Sequence, residues 1–411
     1  MLAMKVALAA SFFSVVVGLC PAPKSLLRTP ERGALLLPSR DNGMPATAAR
    51  TSIRMASSSP PADGGGDEQS TGPFTRKSLL EGVTKAAGVL GAGTFVQKGF
   101  VAGVPYHGSP DLNGKTAVIT GGNTGLGKET AVRLAQLGAD VTIACRNPDK
   151  AFAALEDIKA RAPGAKVGAM PLDLASLDSV GSFAKRYASS SSDRLDILVN
   201  NAGVMAIPER QATKDGFEMQ FGTNHLGHFR LTSLLMPALL KSPDARVVNV
   251  ASSAHLFASS VEWDDLNAQA PGAYAPWKAY GLSKLSNIYF TKALQRRVDS
   301  KGAGSITATS LHPGACRTEL GRYLFDPSQP ANPLVYPALA ALTLVTRTPK
   351  EGAQTQIACA ADPALGKGSS AGGTYYIGPK ISELPSELAR DPEGAERMWA
   401  ASEKLVGKFS V

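Results

Sequence analysis

The feature that most constrains this chain is a glycine-rich turn set between a short apolar run and a helix-length stretch. Residues 116–120 (TAVIT) read as a buried strand, residues 120–127 (TGGNTGLG) as the turn, and a helix follows through Leu137. Gly121 permits the tight turn, Gly125 lets the backbone approach a pyrophosphate, and Gly127 lets the helix pack on the sheet. Asn123, Thr124 and Leu126 complete the predicted contact set of the turn. Phosphates placed there would meet free N–H groups and the positive end of the helix macrodipole. A glycine cluster alone is a weak signal, but its strand–turn–helix setting makes it a dinucleotide fingerprint.

The same alternation continues downstream. Residues 141–145, 167–172, 195–199, 246–250 and 305–311 are short β-branched or apolar runs, and helix-length stretches separate them. Such a pattern demands parallel strands joined by helical crossovers, which predicts a doubly wound α/β sheet, a Rossmann fold, in a single catalytic domain over residues 110–411. At the end of the second strand stands Cys145, where an acid would accept from the ribose hydroxyls of NAD, and Arg146 follows. A cation beside a neutral residue suits a 2′-phosphate, so the cofactor expected is NADP(H). Asp173, after the third strand, is placed either to contact the adenine or to cap the next helix.

Tyr280 and Lys284 are four residues apart, so on a helix they share a face. A phenol titrates near 10, and a close ammonium would stabilise its phenolate; a drop of ~3 units corresponds to roughly 4 kcal/mol. Tyr280 then serves as proton donor to a carbonyl oxygen or acceptor from an alcohol. Ser252 emerges past the 246–250 strand, where its hydroxyl can polarise a substrate oxygen.

Four segments in this order, TGGNTGLG (120–127), NNAG (200–203), the Ser252 strand end and YGLSK (280–284), resemble the short-chain dehydrogenase/reductase family over about 300 residues. The resemblance implies that Asn201, Ala202 and Gly203, together with Pro313 and Gly314, lie against the cofactor. It also implies that Lys284 holds the nicotinamide ribose and that Asn224 orients a water for proton relay. Within the family, ACRN, NHLGHF, VVNVASSAH and LHPGACRTEL resemble the retinol dehydrogenase-like group. LDLASLDSV (172–180) and MWAASEKLVG (398–407) also resemble the light-dependent protochlorophyllide reductases. That group usually carries Cys-Asn-Ala-Ala where this chain has NNAG, and a cysteine directly after the Pro-Gly pair, where this chain has Ala315 before Cys316. The region beyond Gly314 is strongly apolar, from Leu320 through Leu342, and reads as a lid over a lipophilic carbonyl or alcohol substrate or as a core-facing helix. A reading of another class makes the chain a non-catalytic NADP(H)-sensing scaffold at a plastid membrane; the complete Asn224–Ser252–Tyr280–Lys284 set argues against it.

At 411 residues the chain exceeds one ordinary domain, and its first hundred residues read as addressing and linker. Residues 1–20 are signal-peptide-like, with an apolar run over 6–19 too short for a comfortable membrane span. Residues 21–61 are rich in Ser, Arg, Ala and Pro, as in a transit peptide. This two-part leader predicts routing to a plastid, on the stromal side or membrane-associated, with the secretory pathway as the alternative. Residues 62–109 form a linker, within which the apolar stretch 79–101 is a thylakoid signal, a peripheral membrane helix or a packed helix. The net charge of +9 includes +5 from residues 1–62, where seven basic residues face two acidic ones, so no basic patch is left for nucleic acid. Cys20, Cys145, Cys316 and Cys359 show neither disulfide nor metal-ligand spacing. His225, His228, His255 and His312 come from dispersed segments and read as structural, so no metal is expected. Oligomeric state is not legible.

Overall fold

The computed structural model describes residues 105–190, 194–302, 305–316, 346–379, 381–382 and 385–409. The leader segments 1–20 and 21–61, the apolar stretch 79–101 and the lid region from Leu320 to Leu342 lie outside the described residues.

Eight strands form one sheet in the order β3-β2-β1-β4-β5-β6-β7-β8. They are β1 (Thr116–Thr120), β2 (Asp140–Cys145), β3 (Val167–Pro171), β4 (Ile197–Asn200), β5 (Ala245–Val250), β6 (Ile306–Leu311), β7 (Tyr375–Gly378) and β8 (Ile381–Ser382). The first seven run parallel and β8 is antiparallel to β7. β1 pairs with β2 on one side and β4 on the other, so the winding reverses there. A crevice at the carboxyl ends of the strands opens at such a switch point, and ligands of this fold bind in it.

Helices α1 (Gly125–Gln136), α2 (Pro148–Arg161), α3 (Leu177–Ala188), α4 (Gly227–Leu239), α5 (Pro276–Ser300), α6 (Pro349–Ala361), α7 (Glu387–Arg390) and α8 (Pro392–Val406) cover the sheet. Strand alternation sorts them into two layers. Val118, Leu198 and Val247 face a core with α3, α4, α5 and α8 that contains Phe183, Phe229, Phe290 and Trp399. Ala117, Ile119, Ile197, Val199 and Val248 face the opposite core, built on α1, α2 and α6. Among the described residues no helix is long and apolar enough to cross a membrane.

Strands β1 to β6 lie where their apolar runs predict them. β4 starts at Ile197 rather than at residue 195, because buried Asp196 turns its carboxylate onto the amide of Thr116 (2.9 Å) and the hydroxyl of Ser242 (2.7 Å). β7 and β8 were not expected; β7 is only four residues in a glycine-rich stretch, and it is held by ladders with β6 and β8 and by Tyr375 and Tyr376, one buried in each core.

Candidate active site

The dinucleotide end is built mostly from backbone. Gly121 has φ +65°, and a Cβ there would stand 3.1 Å from Ala202. Only glycine meets both conditions, and the crevice stays open as a result. Asn147, Ser176, Thr348 and Asp391 each cap α2, α3, α6 and α8 with a side chain, and each of those helices carries an acid in its first turn. α1 has neither: its N-cap Thr124 makes no side-chain cap and no acid follows. Its first N–H groups are thus left for an external anion. The turn around Gly121 and the helix start fit the diphosphate of a dinucleotide.

The other residues predicted for the cofactor fall around this crevice. Asn123, Thr124, Gly125 and Leu126 are half-buried in the turn, and Arg146 is exposed just past β2 beside buried Cys145. Asp173 does not cap α3; Ser176 does. Its carboxylate accepts from the amide of Ala175 at 3.1 Å and lies 3.8 Å from the Lys214 ammonium. Asn201 turns its amide inward, donating to the carbonyl of Thr120 at 2.8 Å and accepting from Gln356 at 3.2 Å. Its side chain therefore braces the turn. Asn200 does likewise one layer deeper, donating to Asn249 (2.8 Å) and Thr232 (3.0 Å). Pro313 and Gly314 follow β6, and Arg347 straps them by donating to the Pro313 carbonyl at 2.9 Å. Gln356 and Arg347 carry no motif and were invisible in the sequence.

At the other end the side chains do the work. Tyr280 (4% exposed) and Lys284 (3% exposed) lie on one face of α5, the ammonium 5.6 Å from the phenol ring centre. Ser252 stands two residues past β5, where it caps a short 3-10 turn (Ser253–Phe257) and hydrogen-bonds Tyr280. That turn can press on α5 because residue 281 is glycine: a Cβ there would fall 2.8 Å from the Ala254 carbonyl. Lys284 donates to the Val250 carbonyl at 2.9 Å.

The electrostatics differ from the expectation of a phenol acidified by Lys284. Burial pushes the Tyr280 phenol well above its ordinary value, and the Ser252 hydrogen bond draws it only partly back. Burial also pushes Lys284 down to about 8. Desolvation penalises phenolate and ammonium alike, and it is the largest influence on both groups.

Asn224 sits in a π turn (Gly222–Leu226) that leads into α4. Its side chain is fully engaged: it exchanges hydrogen bonds with the backbone of Val204 (2.8 and 2.9 Å) and donates to Ser283 at 2.9 Å. Any relay through Asn224 must use its carbonyl instead. The four histidines fall in two pairs, His225 with His228 and His255 with His312. His255 bridges the Ser252 carbonyl (2.8 Å) and the Ser386 amide (3.2 Å), and His312 accepts from the Ser253 amide at 3.2 Å. His225 meets Ser402 at 2.8 Å inside a cluster of Phe221, Phe229 and Phe290. No cluster fit for a metal occurs among the described residues. Beside Tyr280, Trp277 (6.1 Å between ring centres) and Phe257 form an apolar wall, and Leu256 is 48% exposed at its rim.

Comparisons with known proteins agree with this geometry. The family model described as short chain dehydrogenase matches residues 115–263. Retinol dehydrogenase 13 of Homo sapiens is 41% identical over 328 residues, covering 78% of this chain and 93% of that protein. Retinol dehydrogenase 12 of Mus musculus is 39% identical over 308 residues, covering 75% of this chain and 91% of its own. The crystal structure of an uncharacterized protein from Mycobacterium Paratuberculosis superposes with a TM-score of 0.58 at 35% identity, over 75% of this chain and 100% of that one. The chain belongs to the short-chain dehydrogenase/reductase family of oxidoreductases, in its retinol dehydrogenase-like branch.

Proposed function

We propose that this oxidoreductase reduces a lipophilic aldehyde or ketone, with NADPH as donor and Tyr280 as the acid that protonates the carbonyl oxygen. One observation carries the reading: a buried phenol, held protonated by its surroundings, bonded to Ser252 and one helical turn from Lys284. The nicotinamide supplies a hydride when the dinucleotide is bound. The N–H groups at the start of α1 take the diphosphate, and Gly121 leaves it room. Arg146 takes the 2′-phosphate, with no acid at Cys145 to oppose it. Ser252 polarises the substrate carbonyl, so that negative charge growing on its oxygen meets two hydroxyl donors, Ser252 and Tyr280. Proton transfer from Tyr280 then completes an alcohol. Donation leaves Tyr280 as a phenolate, to which Lys284, with its pKa lowered to about 8, can return a proton near neutral pH. Trp277, Phe257 and Leu256 favour an apolar substrate body over a polar one.

The test is a titration of the purified protein with NADPH and NADH by fluorescence, followed by a panel of long-chain and retinoid-like aldehydes assayed in the dark. Protochlorophyllide under illumination is the control arm. Dark turnover of apolar aldehydes with NADPH is the expected result; turnover of illuminated protochlorophyllide alone would overturn the proposal. The composition of residues 1–61 supports routing to a plastid. Residues 1–110 fused to a fluorescent protein should enter plastids of an algal cell, and retention in the endoplasmic reticulum would reject that routing.

A further inference from the structure

One buried side chain joins the two ends of the site without belonging to either. His228, 1% exposed on the first turn of α4, holds the Asn224 carbonyl at 2.9 Å through Nδ1 and the Thr120 hydroxyl at 2.8 Å through Nε2. A carbonyl can only accept, so Nδ1 carries the hydrogen and Nε2 must accept from Thr120. The Thr120 oxygen in turn accepts from the amides of Asn201 (2.9 Å) and Ala202 (3.0 Å). Both ring nitrogens are engaged, and the 2.8 Å contact to Nε2 is shorter than the alternative from the Thr120 hydroxyl to the Val199 carbonyl (3.4 Å), which favours one tautomer and one orientation of the ring. On the far side, the π turn shifts the backbone ladder from four residues to five, as in the bond from the Gly227 amide to the Gly222 carbonyl. The Asn224 carbonyl lies inside this turn, and the His228 ring donates to it.

We propose that His228 is a positioning residue, whose imidazole holds the backbone of Asn224, the residue whose side chain meets Ser283 next to Lys284, and holds Thr120, with the Asn201–Ala202 backbone, beneath the dinucleotide turn. Gly203, the next residue along, shows how close the two ends come: a Cβ on it would lie 3.1 Å from the Asn224 amide oxygen and 3.7 Å from Lys284 Nζ. A change at the imidazole therefore reaches the ammonium by one route and the cofactor turn by the other. The inference rests on Tyr280 and Lys284 being the catalytic pair, and its cofactor half can be read without turnover.

Two substitutions divide the ring. In His228→Asn the amide N–H stands where Nδ1 stood, keeping the bond to the Asn224 carbonyl and losing the acceptor for Thr120. In His228→Gln the longer side chain reaches Thr120 and leaves the carbonyl unmet. Purified full-length variants are compared for NADPH Kd by fluorescence, for kcat and KM with an apolar aldehyde, and for thermal unfolding. His228→Asn should raise the NADPH Kd about tenfold and spare kcat; His228→Gln should lower kcat about tenfold and spare Kd, each the scale of one lost buried hydrogen bond. Identical losses in both variants would mean a merely structural histidine and overturn the proposal, as would wild-type values in both. Should neither variant fold, Thr120→Val carries the test: it must weaken NADPH about tenfold more than it lowers kcat, and an unchanged Kd rejects the coupling. An active Tyr280→Phe enzyme would instead strike at the catalytic assignment and leave the Kd result standing.

Discussion

The two ends of the crevice solve the same problem with opposite materials. At β1 and α1 the chain removes side chains: glycines and an uncapped helix start leave bare N–H groups facing outward. At β5 and α5 it buries side chains: loss of water raises the Tyr280 phenol and lowers the Lys284 ammonium, with half-buried Ser252 beside them. One end recognises a shape and a charge that never change. The other depends on proton positions, so it is sensitive to anything that alters burial.

The sharpest way to break this comparison is to damage one end and read the other. Tyr280→Phe should lower kcat by about 10³-fold, within the usual range for a lost acid, and leave the NADPH Kd unchanged by fluorescence titration. Gly127→Ala should do the reverse. The added Cβ would fall 2.5 Å from both the Asn201 amide nitrogen and the Gly121 carbonyl, displacing the turn. We expect NADPH affinity to fall on the order of 100-fold, with kcat at saturating cofactor far less affected.

A third prediction uses protonation to separate the ends. Burial pushes His225 and His312 down to about 3 and His228 to about 4, against about 6.5 in the unfolded chain. The unfolded state therefore binds more protons below pH 6.5. Stability is full above that value and is lost as pH falls toward 4, at up to about 1.4 kcal/mol per pH unit for each imidazole. Denaturant unfolding of His225→Phe should show a shallower acid slope than the parent; an equal slope would mean that His225 is not held neutral. The smallest effect is expected at Arg146→Ala, the one charged side chain assigned to the backbone-built end. NADPH affinity should drop about tenfold with NADH nearly unaffected, and equal losses would remove Arg146 from the 2′-phosphate.

Legibility in the sequence follows the same division. Glycines and a Tyr-to-Lys spacing of four act locally, so the turn, β1 to β6 and the facing pair on α5 were readable from short windows. Asp173 left two local readings, adenine contact and helix cap, and the structure removes the second, because Ser176 caps α3. Asn224 matched a motif, yet its side chain is consumed by Val204 and Ser283, from segments 20 and 59 residues away. Gln356 braces Asn201 across 155 residues, and no pattern announces such a partner.

The sequence by itself determined the parallel sheet, the strand–turn–helix at its start and the shared helix face of Tyr280 and Lys284, because backbone freedom and helical spacing are properties of neighbours along the chain. Tertiary structure alone decided that burial raises the Tyr280 phenol, that it pushes His225, His228, His255 and His312 below their ordinary range, and that His228 spans the two ends. Burial is summed over every segment that packs around a group. Its sign and size exist only once β4, β5, α4 and α5 have closed around the site.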